Sequence, residues 1–332
     1  MKKLWLIILE GEWWEDMKNK NKGKKSYFIF FLLIVILLGT TLTLWIIQPE
    51  NFREIKDKVR ILFSNHYADT SYNAKSLVLV DLSNDEDFIS KNVNEKQLPA
   101  SLAKLFVIEY GATLAELEDI VPARYEAISL TKEGSSVADI KETNYYLHNL
   151  FAAMLVPSGN DAAYVVADYL GGILSPESKT SKERIEIFMK KLNDYLQKQG
   201  YKDTVLYDPS GYDEEASTTV IDLKKVVKKL LEYQWFRDIV SQNFYTATLP
   251  DGSAVTWKNT NTFLDTTSEY YNKNVVGIKT GSLADDYNLV VLYKMHGKEF
   301  LICSLGSQSD SSRYDDVNYI IKTINESNYL KE

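Results

Sequence analysis

LPASLAKLFVIEYGATLAELEDI, residues 98–120, sets a proline before a serine, a lysine three places further on, and then an apolar pattern at helical spacing. Leu102, Leu105, Phe106 and Tyr110 recur at intervals that share one helix face. Pro99 closes the preceding loop and Ser101 stands near the helix start. Positions i and i+3 are neighbours on a helix, so the Lys104 amine is within reach of the Ser101 hydroxyl. A lysine whose pKa is lowered by burial can serve as base for a serine nucleophile where no histidine does. A helix N-terminus also favours negative charge on that oxygen. The same spacing recurs at Ser129-Leu130-Thr131-Lys132, but the loop-like Glu133-Gly134-Ser135-Ser136 follows it, so Ser101 carries the weight.

Upstream, SLVLVDL at 76–82 is a short apolar run bounded by turn formers and predicts a buried strand, with 87–92 returning as its partner. Downstream, residues 142–170 predict two helices broken at Pro157-Ser158-Gly159. Further helices are expected at 182–199, ended by Gly200, and at 218–233 behind a threonine-rich cap. VVGIK, YNLVVLYKM and EFLICSLG predict three strands, the last two joined at His296-Gly297-Lys298, before a closing helix at 315–330. Strands at both ends with helices between them predict an α/β (α+β) fold in which early and late segments share one sheet.

Two more constellations stand out. Ser158-Gly159-Asn160, at the break between helices, can project a hydroxyl that relays a proton and an amide that binds a peptide; as a bland alternative it is a helix cap. Lys279-Thr280-Gly281 ends the strand VVGIK and offers a positive charge, a hydroxyl for a carboxylate, and a glycine that permits close approach. Competing chemistries lack support: His66, His148 and His296 lie in no HExxH, and there is no GxSxG elbow or GxxxxGK[ST] loop. The single cysteine, Cys303, sits in an apolar run, excludes a disulfide within the chain, and is expected to be a buried strand residue.

Of 332 residues, 45% are hydrophobic and 25% charged, which is a globular composition. Residues 1–25 hold seven lysines against four acids, so the remainder is more acidic than the net charge of −8. An acidic main body argues against a nucleic-acid partner. From Tyr27 to Ile47 no residue is charged, and the stretch is about the ~20 residues a spanning helix needs. Lysines crowd its N-terminal side, and no small-residue cleavage site follows, so an uncleaved anchor with the main body outside is expected. The organisation expected is a basic tail at 1–25, a membrane span at 26–48, a linker at 49–73 and a catalytic domain at 74–332. Met17 begins a more ordinary basic tail than Met1, and translation is expected to start there.

Taken in order, S-x-x-K, S-x-N and K-T-G form the set used by penicillin-binding proteins and serine β-lactamases. With LPASLAK, VPSGNDAA, DPSGYDEEASTT, NTN and GIKTGSLADDYNLV beside them, the chain from about residue 70 resembles the serine-type D-alanyl-D-alanine carboxypeptidases of peptidase family S11. The resemblance implies a β-lactamase/transpeptidase-like fold: an antiparallel sheet flanked by helices plus a helical lobe, with the site between them. It implies removal of the terminal D-alanine from peptidoglycan stem peptides ending in D-Ala-D-Ala, with β-lactam antibiotics as covalent inhibitors and no metal or organic cofactor. Ser101 is then the nucleophile, Lys104 its base and Ser158 the relay. Asn160, Lys279, Thr280, Gly281 and Ser282 line the cleft, the backbone N–H groups of Ser101 and Ser282 form an oxyanion hole, and Arg313 helps hold the terminal carboxylate. Ala103 departs from the family's common threonine, and the family's usual C-terminal β-rich domain and amphipathic tail find no match. Rival readings are a serine β-lactamase, for which no Glu-x-x-Leu-Asn-type segment is found, and a catalytically silent wall-binding protein, against which every motif residue is retained.

Overall fold

Ser76–Asp81 (β1) is buried along its whole length, because its alternating side chains enter two different cores. In the computed structural model, which describes residues 72–326, β1 pairs antiparallel with β2 (Glu86–Lys91). A 3-10 turn at Ala100–Leu102 then runs into α1 (Ala103–Gly111). Two short strands follow, β3 (Ile120–Pro122) and β4 (Asn144–Tyr146), paired with each other and separated by the single-turn α2 (Tyr125–Ile128). The helical section comprises α3 (Leu147–Leu155), α4 (Asn160–Leu174), α5 (Ser181–Lys198), α6 (Val220–Leu230) and α7 (Gln234–Val240). A small hairpin, β5 (Phe244–Thr248) with β6 (Ala254–Lys258), precedes three long strands, β7 (Val275–Leu283), β8 (Asp286–Met295) and β9 (Lys298–Ser307). The last described element is α8 (Asp310–Glu326).

The main sheet is antiparallel with the order β2-β1-β9-β8-β7, so the final strand inserts beside the first. Val78, Cys303 and Val290 lie in register across β1, β9 and β8, and all three enter the core covered by α1 and α3–α7. Leu79, Ile302 and Val291, one position along, enter the opposite core under α8. Burial on both faces explains why these strands are continuous apolar runs without polar alternation. Cys303 is fully buried, and desolvation pushes its thiol pKa up.

The antiparallel sheet and its helices agree with the expected architecture, while several boundaries move. The TNYY portion of the first helix expected in 142–170 is strand β4. The helix expected at 218–233 is α6, and α7, which follows it from Gln234, was not expected. The closing helix begins at Asp310, not 315, because Ser309 and Ser312 exchange backbone-to-side-chain hydrogen bonds of 2.9 and 3.1 Å at its start. That serine-rich stretch carries no apolar periodicity, yet serine is favoured at this position. The β5–β6 hairpin is short, interrupted by threonines and largely exposed, so it does not show as a continuous apolar run. The expected membrane span at 26–48, basic tail, linker and start site lie outside the described residues; among the described residues no helix is long and apolar enough to cross a membrane.

Candidate active site

Pro99 and the 3-10 turn hold Ser101 half-buried at the mouth of α1, and Lys104 follows one turn later with no exposed surface. The Lys104 Nζ lies 2.9 Å from Ser101 Oγ, 2.7 Å from Asn160 Oδ1 and 2.8 Å from the Ser210 carbonyl oxygen. Burial is the main force on this amine and lowers its pKa to about 7; the charges of Asp208 and Asp161 oppose that fall. An amine at that value has its free-base form available near neutrality, as a general base requires. Two fixed carbonyl-type acceptors leave the third direction of the nitrogen for Ser101.

Ser158 bridges α3 and α4 with φ at 63°, a left-handed conformation that costs a non-glycine residue about 1–3 kcal/mol. The residue is held by its surroundings: Gly159 N–H donates to Ala153 O at 2.9 Å, and Lys279 Nζ donates to Ser158 Oγ at 2.7 Å. Asn160 then starts α4, so its side chain reaches back to Lys104. Asp161, in the first turn of α4, accepts from the Ala138 and Ile140 N–H groups, both at 2.8 Å, and ties the 131–141 loop to the site.

Strand β7 carries Lys279, Thr280, Gly281 and Ser282 along the sheet edge. Lys279 is buried, and its pKa falls well below the ordinary lysine value through desolvation, then through repulsion from Lys104 and Arg313. Thr280 Oγ1 shares a 2.6 Å hydrogen bond with Thr260 Oγ1. Gly281 has a role other than admitting a ligand: a Cβ there would lie 3.1 Å from the Pro99 oxygen and 3.3 Å from the Leu102 nitrogen, so the missing side chain lets β7 pack on the turn that carries Ser101. Ser282 is exposed. Arg313, buried on α8, donates from Nη1 to the Gly281 oxygen, Ser282 Oγ and the Asn288 oxygen, each at 3.1 Å, and from Nη2 to Asp310.

The nine residues assigned to the site from the sequence therefore lie in one connected cluster, whereas Ser129 and Lys132 are exposed by α2. Four contributors were missed. Asp208 organises the loop that presents the Ser210 carbonyl. Asn288 donates to the Leu98 and Pro99 oxygens at 2.8 and 3.0 Å and accepts from Gly306 N–H, pinning the Ser101 turn to β8 and β9. Thr260 N–H donates to Val156 O at 3.0 Å, which links Thr280 to the Ser158 loop. Asp161 is the fourth. The phrases containing all four stood out in the sequence as wording, without a role for these residues.

Known proteins resemble this chain in sequence and in fold. A family model described as D-alanyl-D-alanine carboxypeptidase matches residues 63–307. A D-alanyl-D-alanine carboxypeptidase of Escherichia coli is 26% identical over 262 residues, covering 74% of this chain and 60% of that protein. One from Streptomyces sp. K15 is 29% identical over 182 residues, 53% of this chain and 59% of the relative. This chain thus spans about 60% of the length of these curated relatives. Among solved structures, the Streptomyces K15 DD-transpeptidase superposes with a TM-score of 0.67 at 24% identity, covering 76% of this chain and 97% of that one. Penicillin-binding protein D2 of Listeria monocytogenes, in its ampicillin-bound form, gives 0.60 at 20% identity, covering 77% and 98%.

Proposed function

Because the chain belongs to the D-alanyl-D-alanine carboxypeptidase family, we propose that it removes the terminal D-alanine from peptidoglycan stem peptides through an acyl-enzyme on Ser101. The observation that carries this reading is the buried Lys104 amine, with its pKa near 7, held 2.9 Å from the Ser101 oxygen. Neutral Lys104 takes the hydroxyl proton as Ser101 Oγ attacks the carbonyl between the two D-alanines. The backbone N–H groups of Ser101 and Ser282 receive the oxyanion. As the C–N bond breaks, the proton passes to the leaving amine through Ser158, whose hydroxyl Lys279 holds. Water then attacks the ester, with Lys104 again as base, and releases the shortened peptide.

Thr280 and Ser282 hold the terminal carboxylate, and Arg313 acts on it through Ser282 Oγ, since its Nη groups donate to protein acceptors while its Nε is buried. Asn160 spends its oxygen on Lys104 and keeps its NH2 for a substrate carbonyl. Strand β7, at the sheet edge, offers backbone pairing to an extended peptide. A β-lactam fits the same path, and its acyl-enzyme retains the amine that would otherwise leave. The test is incubation with a peptide ending in D-Ala-D-Ala and measurement of free D-alanine. Release is expected from the wild type and not from Ser101→Ala, and a wild type that releases none overturns the reading.

The pH dependence follows in sign. Only unprotonated Lys104 can accept the serine proton, so acylation by penicillin is expected to rise about tenfold per pH unit on the acid side and to level off above roughly pH 7. A flat profile between pH 5 and 8 would exclude Lys104 as the base.

We propose further that residues 26–48 anchor the chain in the cell membrane with the catalytic part outside. The uncharged stretch and the lysine-rich flank before it support this. Alkaline extraction should leave the full chain in the membrane fraction and release a form lacking residues 1–48; release of both would sink the anchor.

A further inference from the structure

We infer that Asp208 is a positioning residue for the base: through the Ser210 carbonyl it fixes the direction from which the Lys104 amine meets Ser101. This rests on the reading of Lys104 as base. Asp208 sits before a tight loop and accepts from Ser210 N–H at 2.8 Å, Gly211 N–H at 3.0 Å and Asp213 N–H at 2.8 Å, as well as from the Ser210 hydroxyl. Its carboxylate therefore replaces the backbone partners this loop would otherwise lack. The loop lies hard against the turn that carries Ser101: Gly211, at φ 78°, packs on Ala100, and a Cβ there would lie 2.0 Å from the Ala100 oxygen. So held, the Ser210 carbonyl accepts from Lys104 Nζ at 2.8 Å.

The consequence is stereochemical. A neutral amine has two hydrogens and one lone pair. With Asn160 Oδ1 and the Ser210 oxygen taking the hydrogens, the lone pair is left for the Ser101 hydroxyl proton. Asn160 alone would leave the amine free to rotate. Asp208 also acts by its charge, which favours protonated Lys104 and opposes the effect of burial. The other charged groups bearing on this amine are Asp161, which acts in the same sense as Asp208, and Lys279, which repels it. Tyr164 stands beside Asp208 and Asp213, and burial and their charges raise its pKa, so it stays neutral.

The experiment is the rate of Ser101 acylation by a fluorescent penicillin, from pH 5 to 9, for wild type, Asp208→Asn and Asp208→Ala, with thermal melts of each. Asn keeps an oxygen for the Ser210 and Gly211 N–H groups and loses the charge. Asp208→Asn is therefore expected to move the rising limb to lower pH, since removing the negative charge eases deprotonation of Lys104, and to lower the plateau only a few-fold. Asp208→Ala is expected to lower the plateau about ten- to a hundredfold, the cost of a small misplacement of a reacting group. If Asp208→Ala does not fold, the shift of the Asp208→Asn limb decides. Folded variants with the wild-type midpoint and plateau, or an Asp208→Asn limb displaced to higher pH, overturn the inference. A wild type that takes no label at any pH removes the parent reading instead, a result distinct from either.

Discussion

Lys104→Met is expected to slow acylation of Ser101 by about a thousandfold while leaving the protein folded, a size typical of a lost general base. Methionine matches the length of the lysine stem and fills the same fully buried site. The change leaves Asn160 Oδ1 and the Ser210 oxygen without their donor, a cost of about 1–3 kcal/mol for each orphaned acceptor. It also removes a buried amine whose desolvation is the largest influence on its own pKa, which offsets part of that loss. Stability and rate should therefore separate. The check is the penicillin acylation rate beside a urea unfolding curve, with Ser101→Ala as the variant that forms no adduct. A rate within tenfold of wild type, with normal unfolding, would transfer the base role elsewhere.

Gly211→Ala is expected to lose both. The added Cβ would lie 2.0 Å from the Ala100 oxygen and 2.7 Å from the Ala103 Cβ, on a backbone at φ 78°. Conformational strain and overpacking together cost about 4 kcal/mol. Because the collision is with the residue before the nucleophile, any relaxation moves Ser101 relative to Lys104. Gly252→Ala is the control: its φ is 85° but nothing lies within 4 Å of a Cβ, so only the strain of about 1–2 kcal/mol applies. Equal losses for the two variants, by urea unfolding, would show that contact with Ala100 contributes nothing.

These variants also mark the border of what was legible in the primary structure. Ser101 and Lys104 could be paired because a helix fixes the distance between i and i+3. Ser158 and Lys279 could only be assembled with them through a motif set, since nothing local says that residues 121 apart meet. The strands were legible because both of their faces are buried, and the β5–β6 hairpin was not, because it is largely exposed. Asp208 and Asn288 escaped for a different reason: they act on backbone atoms, Asp208 on N–H groups and Asn288 chiefly on the Leu98 and Pro99 carbonyls, and a carbonyl has no residue type to recognise. Arg313 was legible as a charge near the site, whereas the engagement of its Nη groups by Gly281, Asn288 and Asp310 was not.

The place of β9 between β1 and β8 bears on how the molecule comes into being on the ribosome. Synthesis delivers the hairpin β1–β2 and helix α1 early, but the strand that must sit beside β1 spans Lys298–Ser307. Until that strand emerges, β1 has an open flank, and pairing across such a separation is slow and leaves apolar surface unprotected meanwhile. A nascent chain arrested before residue 298 would hold the S-x-x-K, S-x-N and K-T-G residues and still lack the strand that joins the first hairpin to β8. The sheet that carries β7 is thus incomplete until nearly the last of the described chain has been made.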